Sequence, residues 1–184
     1  TNGGAIATPD HYKNTFFQLN NINFLNNTAG NKGGAFHLSG IQTAAQVSDS
    51  TFKSNTATNC GGAMSIEASA GLQLFRIKSS DNRVTGDGDG GFLSAKFSNP
   101  ILFSDVTIKK SSTNNEGGGG GIAVYSSKIA LYQVNFNRCQ AGKRGGGGLL
   151  LDEGSSAHLL DCIMNDNVAT FDGSGGHVRV SGSS

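Results

Sequence analysis

The chain has 184 residues, a net charge of +1 and no tryptophan, and 28 of its residues are glycine. This length is typical of a single domain, and the glycines do not follow the every-third-residue rule of collagen. The near-neutral charge argues against a nucleic-acid partner, which usually contacts a basic face, and no apolar run reaches the ~18 residues that predict a membrane span.

A Gly-Gly pair lies near the start of the chain and recurs at a nearly constant interval. The first glycines of successive pairs are 27 to 30 residues apart, and a fixed period of this size is typical of stacked-repeat proteins. We therefore predict one domain over residues 1–184, made of about six coils of 27–30 residues. The coils begin near residues 3, 33, 61, 90, 119, 146 and 175.

The predicted strands follow in the same order in every coil. After the glycine pair and one mostly small residue, apolar residues alternate with other residues, as in Phe36 to Leu38, and this period of two predicts a strand with one buried face. Further along, apolar residues occupy places one, three, six and eight of a short segment, as in Ile101 to Ile108. The one-residue slip in this pattern predicts two strands separated by a bend.

Each coil is thus predicted to contain three short strands and three turns, because no coil carries a helical run of apolar residues. Strands that recur without crossover helices cannot form a doubly wound sheet. They can instead wind into a coil in which each turn pairs in parallel with the turn above it. The predicted fold class is all-β, a single-stranded parallel β-helix with three short strands per coil.

Two columns of residues recur at the turns and are predicted to be structural. The paired glycines, among them Gly33, Gly34, Gly61 and Gly62, are expected where the chain turns tightly. Asparagine tolerates the left-handed conformation, and stacked asparagine amides can form a hydrogen-bonded ladder along the rod. The asparagine column contains Asn27, Asn55, Asn82 and Asn167, with Ser111 and Cys139 at the same place in two other coils.

Charged residues in outward columns are predicted to pair between stacked coils. Asp49, Arg76 and Asp105 share one place in consecutive coils, so an arginine is expected between two aspartates. Glu67 is expected to pair with Lys96 in the same way. No column collects the two or three acids that glycan hydrolysis requires, so no catalytic residue is predicted.

The sequence offers one weak metal candidate. Asp87 and Asp89 alternate with glycines and can offer oxygen ligands to Ca²⁺, although calcium-binding repeats of this kind need many copies of the motif. No other cofactor is predicted, and a flexible turn is the alternative interpretation of this loop. The four histidines are expected in different columns; they are His11, His37, His158 and His177.

Several residues are expected at the surface. Asn26 begins an Asn-Asn-Thr sequon, which is a glycosylation candidate if the chain is secreted by a eukaryote. The residues beside the first strand of each coil, such as His37 and Ser65, are predicted to face outward. The tyrosines can stack on sugars, but they are scattered and surface or loop roles are favoured; they are Tyr12, Tyr125 and Tyr132.

The assembled repeat reads FxxN and then GGA with an apolar residue. The segment from Phe24 to Asn27 precedes Gly33-Gly34-Ala35-Phe36, and the segment from Phe52 to Asn55 precedes Gly61-Gly62-Ala63-Met64. This pattern resembles the repeats of the polymorphic membrane protein family, whose signatures are GGAI/L/V and FxxN. The resemblance covers the whole chain and implies a surface-exposed or secreted β-helical passenger domain, often an adhesin.

The leading functional hypothesis is a non-enzymatic extracellular repeat protein that acts as a structural or adhesive rod or as a filament component of the cell surface. Its expected partners are flanking repeats of the same chain or other copies stacked end to end, because bare strand edges are templates for pairing. A host-surface or glycan ligand is a further expectation. The alternative is a carbohydrate-binding or carbohydrate-cleaving β-helix with a glycan groove on one outward face.

Overall fold

The computed structural model describes residues 1–8, 17–43 and 45–182. Within these residues the chain forms 21 β-strands, all of which pair in parallel. The described residues contain no helix, so no helix among them is able to cross a membrane. The predicted all-β parallel β-helix is confirmed.

The first sheet has seven strands, one from each coil, and each strand follows a glycine pair. Equivalent residues are in register, so Phe36 pairs with Met64, and Leu93 pairs with both Met64 and Ile122. The strands are β1 (Ile6–Ala7), β5 (Phe36–Ser39), β9 (Met64–Glu67), β12 (Leu93–Lys96), β14 (Ile122–Tyr125), β17 (Leu149–Asp152) and β21 (Val178–Val180).

The second sheet has nine strands and contains the predicted bend. In three central coils the two predicted strands are continuous, and the slip residues Arg76, Asp105 and Gln133 adopt φ angles of 51°, 55° and 55°. The strands are β2 (Gln18–Asn20), β3 (Asn23–Leu25), β6 (Ala45–Ser48), β7 (Thr51–Lys53), β10 (Leu72–Ser80), β13 (Ile101–Lys109), β15 (Lys128–Asn137), β18 (Ser156–Leu160) and β19 (Ile163–Asn165).

The third side of the coil consists of two-residue strands next to the asparagine column. Two short sheets form here, and bridges through Ser112 connect Arg83 in one sheet with Gln140 in the other. The strands are β4 (Thr28–Ala29), β8 (Thr56–Ala57), β11 (Arg83–Val84), β16 (Gln140–Ala141) and β20 (Val168–Ala169).

Aromatic rings fill much of the interior. Phe24 and Phe52 stack with their ring centroids 4.8 Å apart, and the Phe92 ring lies between Phe52 and Phe103 at 5.7 and 6.4 Å. Phe92 occupies the place that alanine takes in the GGA motif of other coils. An aromatic ring at this place fills the interior where neighbouring coils use a small residue.

The opposite substitution occurs in the next coil, where Gly121 stands at the alanine place. A Cβ atom on Gly121 would lie 2.9 Å from the ring of Phe136. Because interiors are close-packed, the small residue and the large ring are complementary. At Gly121 the departure from alanine in the GGA motif is therefore compensated by the ring of Phe136.

The prediction that the residues beside the first strand face solvent is wrong for the five central coils, where they are buried, whereas Ala7 in the first coil is exposed and Arg179 in the last coil is partly exposed. His37, Ser65 and Leu150 are only 3%, 1% and 1% exposed. The glycine turn and the loop before it fold over this face: a Cβ on Gly118 would lie 2.7 Å from the Leu150 side chain. The strand pattern alone does not reveal a second layer formed by irregular loops.

Candidate functional site

The two glycines of each pair are required for different reasons. Gly61 adopts a φ angle of 62°, and a Cβ atom there would lie 1.9 Å from the carbonyl oxygen of Met64. At the second position, a Cβ on Gly34 would lie 2.1 Å from the carbonyl oxygen of Gly62 in the next coil. The first glycine thus permits the turn, and the second permits close approach of neighbouring backbones.

The asparagine column forms the predicted ladder. The Asn55 Oδ1 atom accepts hydrogen bonds from the backbone N–H and the Nδ2 of Asn27 at 3.0 and 2.9 Å. The Asn55 backbone N–H and Nδ2 donate in turn to Asn82 Oδ1, each at 2.9 Å. The Nδ2 atoms of Asn55 and Asn82 also donate to the carbonyls of Phe24 and Phe52, which links both ends of the FxxN motif across coils.

Two coils interrupt this ladder. The Ser111 hydroxyl is buried and makes no hydrogen bond with the described residues. The Cys139 thiol contacts the Ile108 carbonyl at 3.6 Å, and burial raises the pKa of this thiol to about 11. The ladder resumes at Asn167, whose Oδ1 accepts from the Cys139 backbone N–H at 2.9 Å. All three cysteines of the chain are free thiols.

Serines form a second ladder, which was not predicted from the sequence. The Ser98 hydroxyl accepts from the backbone N–H of Ser69 at 3.2 Å and donates to the Lys96 carbonyl at 3.0 Å. The Ser127 hydroxyl repeats this arrangement with Ser98 and Tyr125. The available signal was a serine eight residues after the first glycine of three consecutive pairs.

The densest polar cluster surrounds Asp89, beneath the glycine loops. Asp89 is 4% exposed. Its carboxylate accepts from the Tyr125 hydroxyl at 2.5 Å, the Gly118 backbone N–H at 2.6 Å and an Arg144 guanidinium nitrogen at 2.8 Å. Burial raises the pKa of Asp89, and the Tyr125 hydrogen bond and the Arg144 charge oppose this change. The cluster connects the loops that carry Asp89, Gly118 and Arg144 to Tyr125 of the first sheet.

The side of the cluster that contains Arg144 and Asp152 is more exposed to solvent than Asp89. Arg144 also approaches Asp152 at 3.5 Å, so one guanidinium connects two carboxylates. The Tyr125 ring lies between cations, with Lys96 and Arg144 at 5.7 and 5.6 Å from its centroid. Burial, followed by the Asp89 charge, raises the pKa of Tyr125, so this hydroxyl is a hydrogen-bond donor at neutral pH. The prediction of a surface or loop role for Tyr125 is wrong.

The two predicted calcium ligands lie in different environments. Both Asp89 carboxylate oxygens are engaged by protein donors, whereas Asp87 is exposed. Among the described residues, no group of three His, Cys, Asp or Glu side chains is arranged to hold a metal ion. The role of Asp89 in connecting the loops is not visible in the sequence, because its partners lie in other coils.

The predicted pair of Glu67 and Lys96 does not form, although these residues are neighbours in register. Glu67 pairs with Lys32 at 2.5 Å, and Lys96 approaches Glu153 at 3.4 Å. Lys32 precedes a glycine pair, so the loop brings it over the first sheet. Register therefore identifies neighbouring backbones, while the irregular loops determine which charges meet.

The aspartate–arginine column forms half of the predicted arrangement. Arg76 donates to both carboxylate oxygens of Asp49, at 2.6 and 2.7 Å. This hydrogen bonding lowers the pKa of Asp49. Asp105 makes no ion pair among the described residues, although its charge contributes to the raised pKa of Arg76.

The remaining predicted residues are dispersed. Tyr12 and His11 lie outside the described residues. Tyr132 is 37% exposed, and its ring centroid is 6.0 Å from that of His158. Asn26 is exposed at a corner with a φ angle of 56°, so the sequon is accessible and remains a prediction.

Comparison of the chain with models of protein families, with curated proteins and with solved structures gives no match.

Proposed function

We propose that this chain is a non-enzymatic structural or adhesive rod of the extracellular surface, in which stacked coils provide length and stiffness. The observation that carries the proposal is the continuity of the stack, in which equivalent residues of successive coils pair in parallel and in register. The asparagine and serine side chains at the turns bond to the next coil. Such a scaffold is rigid along its axis and presents flat outer faces.

The interior of the rod is open at its last coil. Leu159 faces inward and is 39% exposed, whereas its stacked neighbour Leu131 is fully buried. Val180 is 70% exposed above Leu151, which is 5% exposed. Apolar core side chains of this kind are stabilised when another coil covers them. Further coils of the same chain, or a second copy, are the partners that fit this end.

The filament form of the proposal predicts concentration-dependent rods that lengthen end to end. Electron microscopy and sedimentation of the purified chain measure this directly. Leu159→Asp places a charge on the open interior and is expected to abolish stacking, whereas Leu160→Asp, on the outward face of the same strand, is the matched control. Short single rods at every concentration, for all three proteins, would exclude the filament form and leave a segment of a longer rod.

A carbohydrate-active β-helix is the second candidate, and one observation favours it. Arg144 brings Asp89 and Asp152 to a single guanidinium, at 2.8 and 3.5 Å, and paired carboxylates are the groups that cleave glycosidic bonds. Screening a polysaccharide panel for new reducing ends or unsaturated products tests it. Turnover that is lost in Asp152→Asn and kept in Asp166→Asn would replace the proposed structural role with an enzymatic one.

A further inference from the structure

The lysines of the described residues fall into two groups. Three lysines near the glycine loops are neutralised by ion pairs, namely Lys32 with Glu67, Lys96 with Glu153, and Lys143 with Glu116. Five lysines make no ion pair among the described residues, and all are exposed on the second sheet or directly after it. These are Lys53, Lys78, Lys109, Lys110 and Lys128.

Three of the unpaired lysines alternate with hydroxyl residues in two adjacent columns. Thr51, Lys78 and Thr107 stack in one column, and Lys53, Ser80 and Lys109 stack in the other. Each lysine therefore has a hydroxyl residue directly above or below it. Because neighbouring strands are about 4.8 Å apart, Lys53 and Lys109 present like charges at an interval of about 9.6 Å.

All of these residues except Lys53 line a shallow groove of about 260 Å³ on the outer face of the rod, and Lys53 is the strand neighbour of Ser80 at its edge. Its lining residues are Thr51, Lys78, Ser79, Ser80, Thr107 and Lys109. The groove continues past Thr51 and Lys78 toward the corner column. There Arg76 neutralises Asp49, and Asp105 is the acid of this column that has no ion pair within the described ranges.

We propose that this lysine–hydroxyl groove binds a linear acidic polysaccharide that lies along the rod. Carboxylate or sulfate groups of the glycan pair with Lys53, Lys78 and Lys109, since ammonium groups bind such anions as point charges. Neutral sugar hydroxyls exchange hydrogen bonds with the threonine and serine hydroxyls and with Asp105. The inference rests on the proposed extracellular role, because it supplies the ligand of an adhesive rod.

A nucleic acid fits this groove less well. Non-specific binding of single strands combines a basic groove with aromatic side chains on which bases stack, and none of the groove's lining residues is aromatic. Binding to duplex depends on neutralising many phosphates, while the groove offers two lysines, with Lys53 at its edge and Asp105 close by. Hydroxyl groups interspersed with isolated cations match the alternation of hydroxyl and anionic groups on a glycan.

The test measures binding of a heparin octasaccharide, an octagalacturonate, a neutral malto-oligosaccharide and a short DNA duplex to the purified chain at 150 mM salt. Lys53→Ser with Lys109→Ser removes one charge from the groove and one from its edge, and introduces the residue that Ser80 already supplies in that column. Lys128→Ser with Lys143→Ser removes the same charge elsewhere and is the control. Circular dichroism and the midpoint of denaturation establish that each variant is folded.

The expected result is binding of at least one acidic octasaccharide, weakened about tenfold or more (~1.4 kcal/mol) by the groove substitutions and less than twofold by the control. Equal losses in the two variants, tighter binding of DNA than of either acidic glycan, or no binding of any acidic glycan would each overturn the inference. These measurements use the unassembled chain, so failure of glycan binding is distinguishable from failure of end-to-end stacking.

Discussion

At the scale of single residues, asparagine is suited to the turn because its amide both accepts and donates between coils. Asn55 satisfies two groups of Asn27 through Oδ1, and its Nδ2 bonds the Phe24 carbonyl and Asn82. No smaller polar side chain reaches all of these partners at once. The residue is fully buried, so water cannot replace the lost bonds when it is changed.

Asn55→Ala is therefore expected to lower the free energy of unfolding by about 3 kcal/mol, because buried groups left without a partner cost ~1–3 kcal/mol each. Urea denaturation monitored by circular dichroism measures the change. Asn59→Ala is the control, since Asn59 makes an exposed hydrogen bond to Asn31 and exposed substitutions usually change stability by about 0.5 kcal/mol or less. Equal effects of the two substitutions would contradict a stabilising role of the ladder.

Because Ser111 interrupts the asparagine ladder, replacing it with asparagine is expected to stabilise the protein. Ser111→Asn places an amide between Asn82 and Cys139, where the serine hydroxyl finds no hydrogen-bond partner in the described part of the chain. Restoring the ladder is expected to raise the free energy of unfolding by about 1 kcal/mol per net hydrogen bond gained. Ser111→Ala serves as the comparison and is expected to have little effect. A less stable Ser111→Asn protein would show that this coil is too tight for the amide.

The buried Cys139 thiol is expected to make the stability of the protein depend on pH in the alkaline range. Burial raises its pKa from 9.0 to about 11 in the folded state, so the folded protein holds this proton more tightly than the unfolded chain. The resulting stabilisation is complete below pH 9 and is lost as pH rises toward 11. Denaturation measured between pH 8 and 11 should show that the free energy of unfolding declines with rising pH, and that this decline is smaller in Cys139→Ala. Identical pH profiles would contradict the assignment, and slow alkylation of Cys139 relative to Cys162 in folded protein gives an independent check.

At the scale of elements, corners in the left-handed conformation set the shape of each coil. One such corner follows the first strand and is occupied by Gly40, Ala68, Phe97 and Ser126 in successive coils, with φ angles of 67°, 45°, 51° and 45°. Residues with a Cβ atom are strained in this region by roughly 1–2 kcal/mol. The corner is maintained because the serine ladder and the strands on both sides fix the chain around it.

Ala68→Gly is expected to raise the free energy of unfolding by about 0.5 kcal/mol, since relief of strain exceeds the extra entropy of glycine in the unfolded chain. Ala68→Val is expected to lower it by more than about 1 kcal/mol, because β-branched residues are genuine outliers at positive φ. Denaturation of the three proteins should therefore rank glycine, alanine and valine in order of decreasing stability. Any other order would indicate that contacts, and not backbone strain, dominate at this corner.

The strands and their register were predictable because every inward place recurs with the repeat. The same periodicity indicated the asparagine ladder and the bends at Arg76 and Asp105. The Asp89 cluster was not predictable in this way, since Tyr125 and Arg144 lie 36 and 55 residues away and meet Asp89 only through loops of irregular length. Likewise, Lys32 reaches Glu67 from a loop, which a column alignment does not represent.

At the scale of the whole molecule, stability depends on contacts between neighbouring coils. In a stacked array each repeat contacts only the repeats next to it, so the free energy is approximately a sum of repeat and interface terms. A central strand such as β13 has a partner on both sides, whereas β18 and β21 at the open end have one. The inward-facing Leu159 is partly exposed for the same reason.

Hydrogen exchange of the isolated chain should consequently be slowest in β10, β13 and β15 and faster toward β21, because terminal coils open without unfolding the rest. If the open coil is the surface on which another copy stacks, protection of β18 and β21 should rise with protein concentration, while that of β13 stays constant. Mass-spectrometric exchange at dilute and concentrated protein measures both effects. Leu159→Asp should remove the concentration dependence but retain the gradient of protection along the rod. Uniform protection along all coils would contradict the nearest-neighbour description of the rod.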